Sequence, residues 1–357
     1  MPNRPLHIIF LLLLLLSIST GLIAQEAAAE QDTTKADRVK IDYSDTLKII
    51  QRGEAAIRKL IGEVKLRQDS IYMDCDSAII SMGDTRVEAM GNVVILQGDS
   101  LSVFSDSLIY NGLTRIADLY GNVVLQHGRQ RLFTDSLQYN LATKVATYTN
   151  GATLVKDETQ LSSKRGYYYV DTDEAFFKDS VIVFDPEFNL RADTLKYHTE
   201  TEVVTFLGPT LITNDSTRLY TEAGYYDTAN RLAEFTENAQ YVQGEQRARA
   251  ELIRYNGARE EYSLIGNARF EEGEERRATA DTIRYDERND KTFLFGDAYY
   301  VDGKQEITSP QIVYDARNET YSTRGRALIS DPPQLLEADT VDFNDELGMG
   351  IALGNVL

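Results

Sequence analysis

"DSLIYNGLTRIADLYGNVVLQHG" (Asp106–Gly128) returns 29 residues later as "DSLQYNLATKVATYTNGATLVKD" (Asp135–Asp157). Each copy has an acid, an apolar residue, a Tyr, a turn and an apolar run around a Gly or Asn. Two markers show how far the period extends. The Tyr position recurs as Tyr110, Tyr139, Tyr168, Tyr197, Tyr226, Tyr255, Tyr285, Tyr314 and Phe343, in steps of 29 with a single step of 30, and Ile80 extends it backwards. The Gly121 position recurs as Gly62, Gly91, Asn150, Asp179, Gly208, Glu237, Gly266, Gly296, Gly325 and Gly354. Two independent ladders with one period signify stacked copies of a single supersecondary unit.

Each unit holds two extended runs. In the first, apolar residues stand two apart, as Leu137 with Tyr139 and Ile253 with Tyr255, around polar Gln138 and Arg254. In the second, Ala117, Leu119, Val123 and Leu125 share a parity around Gly121. Period-two alternation is the strand signature. Turn sequences separate the runs: "NG" at Asn111 and Asn256, "QHGRQ" at Gln126, "VQGEQ" at Val242 and "VDGKQ" at Val301. A hairpin with one apolar face cannot bury that face alone. Stacked copies make two long facing sheets with a continuous apolar interior. The central Gly is expected as a column on the inner face, either closely packed or leaving room for a ligand. The recurring acids Asp76, Asp106, Asp135, Asp193, Asp281 and Asp339 are expected to cap turns at strand starts.

The two ends read differently. Residues 1–24 carry a basic start at Arg4 and an apolar core from Ile8 to Leu16, the pattern of a secretory signal peptide. Residues 25–44 are expected to be a flexible leader, and 45–357 one repeat domain. The sequence stops halfway through a unit, just after Gly354, so either more chain follows Leu357 or the last strand is expected to be an open edge. The formal net charge is −19 and becomes more negative once Arg4 is removed. Such acidity argues against nucleic acid as a partner. The single Cys, Cys75, allows no disulfide within the chain. His127 and His198 lie in separate units with no second ligand at metal spacing, and neither a phosphate loop nor a nucleophile elbow occurs. Neither a catalytic residue nor a cofactor is expected.

"YMDCDSAII" (Tyr72–Ile80), "GNVVILQGDSLSVFSDSLIY" (Gly91–Tyr110) and "LYGNVVLQHGRQRLFTDSLQYN" (Leu119–Asn140) resemble the OstA-like family, which includes LptA and the N-terminal domain of LptD. The resemblance implies an antiparallel β-jelly roll, V-shaped, with two facing sheets. It implies a periplasmic, non-enzymatic carrier or bridge that shields lipopolysaccharide acyl chains. The implied partners are lipopolysaccharide or a related glycolipid, and other OstA-like proteins joined through sheet edges. The mid-body inward residues Leu137, Tyr139, Tyr148, Leu195, Tyr197, Phe206, Phe235, Ile253, Tyr255 and Leu264 are the expected acyl-chain contacts. Arg129 and Arg131, Lys164 and Arg165, Arg247 and Arg249, and Arg276 and Arg277 follow second strands. They either line one rim of the groove or balance neighbouring Glu at hairpin tips. The competing readings are a structural or adhesive solenoid with a dry core and, behind it, a parallel β-helix, against which two turns per unit count.

Overall fold

The computed structural model describes residues 38–357 except 53–54, 99–100, 187 and 215–216. The expected signal peptide and the leader up to residue 37 lie outside the described residues. Antiparallel hydrogen bonding links 29 strands into one sheet, and the helical content of the described residues is the single 3-10 turn Val170–Thr172. The regular part is a run of hairpins: Ile71–Ser81, Arg86–Gln97, Leu101–Asn111, Ile116–His127 and Gln130–Asn140, each pairing with the next. Strand Lys40–Tyr43 pairs with Ala55–Gln68. The body therefore begins inside the stretch expected to be leader. Four residues carry too little periodicity to read, and the neighbouring strand supplies their hydrogen bonds.

Two facing walls arise from one sheet because every long strand is creased in its middle. In strand Ile116–His127 the register against Gln130–Asn140 shifts between Tyr120 and Val123. Gly121 and Asn122 fill that bulge with φ of 75° and 45°. Two residues facing one on the partner strand bend the chain and leave the alternation intact on both sides. Leu119 and Val123 thus both point inward and are buried. The Gly column does not lie on the inner face as expected. It lies on the crease, where a Cβ on Gly121 would come within 2.5 Å of the Asp106 carboxylate.

The repeated acids are explained by the same crease. Asp106 accepts a hydrogen bond from Asn122 Nδ2 at 2.8 Å, Asp76 from Asn92 at 3.0 Å and Asp339 from Asn355 at 2.8 Å. Asp76 and Asp106 sit in mid-strand opposite the bulge and Asp339 where the strand divides at the crease, so they do not cap turns at strand starts. At Asn150–Gly151 the usual order of Gly then Asn is reversed. There the strands divide at the crease, into Val145–Tyr148 and Ala152–Lys156, then Thr159–Ser163 and Arg165–Tyr169.

The core is one long cluster of inward side chains from both walls, followed by a small second cluster of Ala327, Ala338 and Val341. Cross-strand register places the marker residues in a single row: Tyr110, Ala117, Tyr139, Ala146, Tyr168, Ala175 and Tyr197. Large and small side chains alternate along it, so each Tyr ring covers its Ala neighbours. Burying such side chains stabilises the fold by about 1.5–3 kcal/mol for each large apolar residue.

Candidate functional site

The inner face is the one feature that runs the length of the body, and the two walls meet over it along a seam. On one wall the seam carries the Tyr row. On the other it carries the last inward residue before each hairpin turn. Tyr110 Oη donates to Gln68 Oε1 at 2.6 Å. Tyr139 Oη donates to Gln97 Oε1, and Gln97 Nε2 donates to the Leu141 carbonyl at 3.2 Å. His127 Nδ1 lies 2.6 Å from Tyr168 Oη and 4.0 Å from Asp173 Oδ1. Lys156 Nζ donates to Tyr197 Oη at 3.1 Å and pairs with Glu202. Each partner lies 41 or 42 residues before its Tyr, about one and a half units, because a residue near one wall's rim meets the opposite wall and not its own.

These contacts shift the ionisation of the groups involved. Burial pushes the Tyr168 phenol up to about 12 and holds the Tyr139 phenol well above its ordinary value. Burial also opposes the Lys156 ammonium, but the bonds to Glu202 and Tyr197 outweigh it and raise its pKa. Glu202 is held below the usual carboxylate range, first by its hydrogen bond from Lys156. The seam is thus uncharged at Gln68 and Gln97 and carries an ion pair at Lys156 and Glu202.

Further along the chain the arrangement changes. Tyr255 Oη accepts from Arg231 at 3.2 Å, Tyr285 Oη donates to Asp290 at 3.1 Å, and Tyr241 Oη donates to Gln243 at 2.5 Å. Each of these bonds stays on its own wall. Tyr262 replaces the small residue of the row and faces Tyr255 and Tyr285 in register. Its ring lies 4.9 Å from that of Tyr255, and the residue is 41% exposed although it points inward. Burial and nearby Glu287 raise its phenol to about 12. The seam then closes again over Tyr300, whose ring lies 6.1 Å from Tyr314 and 5.5 Å from Tyr321. Tyr241, Tyr255, Tyr262 and Tyr285 therefore cluster into a tyrosine mouth, at which the inward row meets solvent through Tyr262.

All ten expected contact residues belong to the inward cluster. Leu137, Tyr139, Tyr148, Leu195, Phe206, Phe235, Ile253 and Leu264 are buried, while Tyr197 and Tyr255 are partly buried against them. Tyr139 is 0% exposed. The sequence reading did not single out Tyr241, Tyr262 and Tyr285 at the mouth, nor Gln97, His127 and Lys156 on the seam. Tyr262, which stands where four units have Ala117, Ala146, Ala175 and Ala233, was a signal open to inspection. Of the basic pairs, Arg276 faces the seam and bonds Glu272 at 2.7 Å and Asp302 at 3.3 Å. Arg247, Arg249 and Arg277 stand on the opposite, outward face, because Ala248 and Ala278 between or beside them are buried inward.

The ends of the interior differ from its middle. Strand Thr46–Arg52 pairs with Ala55–Gln68 alone among the described residues. Its Leu47 lies opposite buried Leu60, and Ile49 shares that inward parity. Ile49 is nevertheless 64% exposed, since nothing described covers that end. At the other end, strand Met349–Leu353 pairs with Thr340–Asn344, its inward Ala352 opposite Val341 is partly buried, and Met349, Ile351 and Leu353 are exposed on the outward face.

Comparison with known proteins adds the family. The profile described as OstA-like protein matches residues 36–193. The profile described as LptA/(LptD N-terminal domain) LPS transport protein matches residues 160–276 and 271–320. No curated protein matches the chain. A similar solved structure is that of LptH, the LptA-homologous periplasmic component of the lipopolysaccharide transport device of Pseudomonas aeruginosa. It is 18% identical, covers 29% of this chain and 79% of its own, and has a TM-score of 0.27. With the two profiles together spanning residues 36–320 of an all-antiparallel repeat body, the chain is an OstA-like protein of the LptA family.

Proposed function

We propose that this protein is a non-enzymatic periplasmic carrier or bridge that holds the acyl chains of lipopolysaccharide, or a related glycolipid, against its inner face on the way to the outer membrane. The observation that carries the reading is the unbroken inward apolar row that reaches water at two places, the uncovered end at Leu47 and Ile49 and the tyrosine mouth around Tyr262. An acyl chain entering there leaves water for apolar side chains, which is favourable by about 0.8 kcal/mol per methylene. A few methylenes offset the repulsion between an anionic headgroup and an acidic protein, because the headgroup stays in screened solvent. The residues 1–24 serve export in this reading, and the exposed end strands join other OstA-like proteins so that one apolar path continues across several bodies.

A dry structural solenoid remains the second reading, and the closed seam from Gln68 to Tyr197 favours it. A photo-crosslinker decides between them. Placed at Tyr262 or Tyr255 in cells making lipopolysaccharide, it should capture the lipid, whereas the same group at outward Arg254 should not. Tyr139 and Leu137 should be captured more weakly, because the seam must open first. Capture at Arg254 equal to that at Tyr262, or no capture anywhere in cells assembling outer membrane, would remove the carrier reading.

A further inference from the structure

The outer faces of the two walls carry their charges differently. On the wall with the Tyr row, outward cations stand against acids: Lys196 with Glu174 at 3.1 Å, Arg254 with Glu234 at 2.8 Å and Lys291 with Asp315 at 3.0 Å. On the other wall, register joins outward residues into two adjacent rows. One row runs Arg191, Leu211, Tyr220, Gln240, Arg249, Arg269, Thr279. The other runs Thr213, Arg218, Val242, Arg247, Glu271, Arg277. Six Arg thus stand in these two rows with one acid, Glu271, which Arg269 bonds and which Arg249 and Arg277 also help hold ionised, while Asp193, Glu222 and Glu251 border the rows at the crease. Arg191, Arg218, Arg247, Arg249 and Arg277 are exposed and make no ion pair or hydrogen bond among the described residues. Arg249 and Arg269 stand directly opposite each other, a like-charge pair that the neighbouring Glu271 offsets only once for two guanidinium groups.

The stripe crosses seven strands, so at about 4.8 Å per strand it is roughly 30 Å long and two rows wide. Its members are interleaved with exposed Leu211 and Val242, and exposed Phe184 lies beyond one end. Guanidinium groups set among exposed apolar side chains on one flat face make up the composition that suits the headgroup region of an anionic bilayer. On a chain of net charge −19, this face is the one a negative surface would attract and not repel.

We propose that this wall rests against an anionic lipid bilayer surface, with the mouth and interior left free. The inference does not rest on acyl-chain binding, since it concerns the opposite side of the sheet. The test is co-sedimentation of the mature protein with phosphatidylglycerol-containing vesicles and with phosphatidylcholine vesicles at low salt. The protein should pellet with the anionic vesicles and be released by high salt. Arg247→Gln, Arg249→Gln and Arg277→Gln together should weaken binding about a hundredfold. The charge-matched Lys196→Gln, Arg254→Gln and Lys291→Gln variant should bind nearly as wild type does. Replacing the three arginines by Lys should preserve binding, because a surface potential reads charge and not fork geometry. Unchanged denaturant midpoints would show that the variants fold. Failure to pellet with anionic vesicles, or equal loss in both Gln variants, would overturn the proposal. Loss in the Lys variant would assign the stripe to individual phosphates, and binding of soluble polyglutamate without vesicle binding would assign it to an acidic protein. Either result would also overturn it.

Discussion

Gly121 and Asp106 show how single residues set the crease. Gly121 sits at φ 75° with its missing Cβ aimed at the Asp106 side chain. Gly128, in the hairpin turn, has φ 57° and open space around it. Gly128→Ala therefore carries only the left-handed backbone cost, about 1 kcal/mol. Gly121→Ala adds a collision with a side chain that the Asn122 bond holds in place, for about 2–4 kcal/mol in all. Chemical denaturation of both variants checks this, and equal losses would mean that the crease is not what needs Gly. The sequence showed that a column of Gly recurs. It did not show why, because left-handed backbone at a bulge and an empty place on an inner face leave the same mark in one dimension. The Lys156–Glu202 pair tests the seam. The folded pKa of Glu202 is lowered, so its contribution is full above the ordinary value near ~4.3 and is lost as pH falls through the depressed one. That of Lys156 is raised, so its contribution is full below ~10.4 and is lost only as pH rises through the raised one. Both side chains are partly exposed, which limits the coupling to about 1 kcal/mol. A double-mutant cycle with Lys156→Met and Glu202→Gln should give that coupling between about pH 5 and 10 and a weakening one as pH falls further. A coupling that does not weaken as pH falls below the ordinary carboxylate range would rule out the ion pair as its source.

Strands and units make a second set of demands. Tyr139 faces inward at full burial, and Gln138 faces outward, donating to Asp118 at 2.9 Å. Tyr139→Asp should destabilise by several kcal/mol, since it places a charge among apolar side chains. Gln138→Ala should cost less than about 1 kcal/mol. Equal thermal shifts would show that the two faces are assigned the wrong way round. The alternation that fixes this facing was legible in the sequence, since a period of two survives any arrangement of the strands. The seam was not legible. That Gln97 meets Tyr139 depends on the crease turning one sheet into two walls, and no local pattern records a contact 42 residues away. The unit itself can be tested by deletion. Removing 111–139 joins Tyr110 to Asn140, one full period, so walls, crease and seam partners all remain in step. Removing 111–125 puts residues of one wall onto the other. The first deletion should fold, with a smaller denaturant m-value in proportion to the lost surface, and the second should lose its cooperative transition. Cooperative folding of both would argue against a repeat with two distinct walls.

At the scale of the whole molecule, the two ends of the interior decide how far the apolar path extends. Inward Leu47 and Ile49 are exposed at one end, and at the other the inward Ala352 is only partly buried, while exposed Met349, Ile351 and Leu353 lie on the outward face opposite Asn344, Asp342 and Thr340. Each end strand has one paired edge among the described residues, so its second edge offers backbone donors and acceptors to another strand. The two ends are different surfaces, and joining them is a heterologous contact that repeats without closing. The protein should therefore form a concentration-dependent series of species in sedimentation velocity, not a dimer alone. Ile49→Lys blocks one end and Ala352→Lys the other, each by setting a charge where inward apolar surface must be covered. Each variant alone should sediment as a monomer, since any head-to-tail contact needs both ends. An equimolar mixture should give dimers and nothing longer, because each partner keeps one intact end and only one productive pairing remains. Longer species in the mixture would show that these ends are not the joints. Dimers in either variant alone would mean that the contact is symmetric, in which case the bodies would pair without lengthening the apolar path.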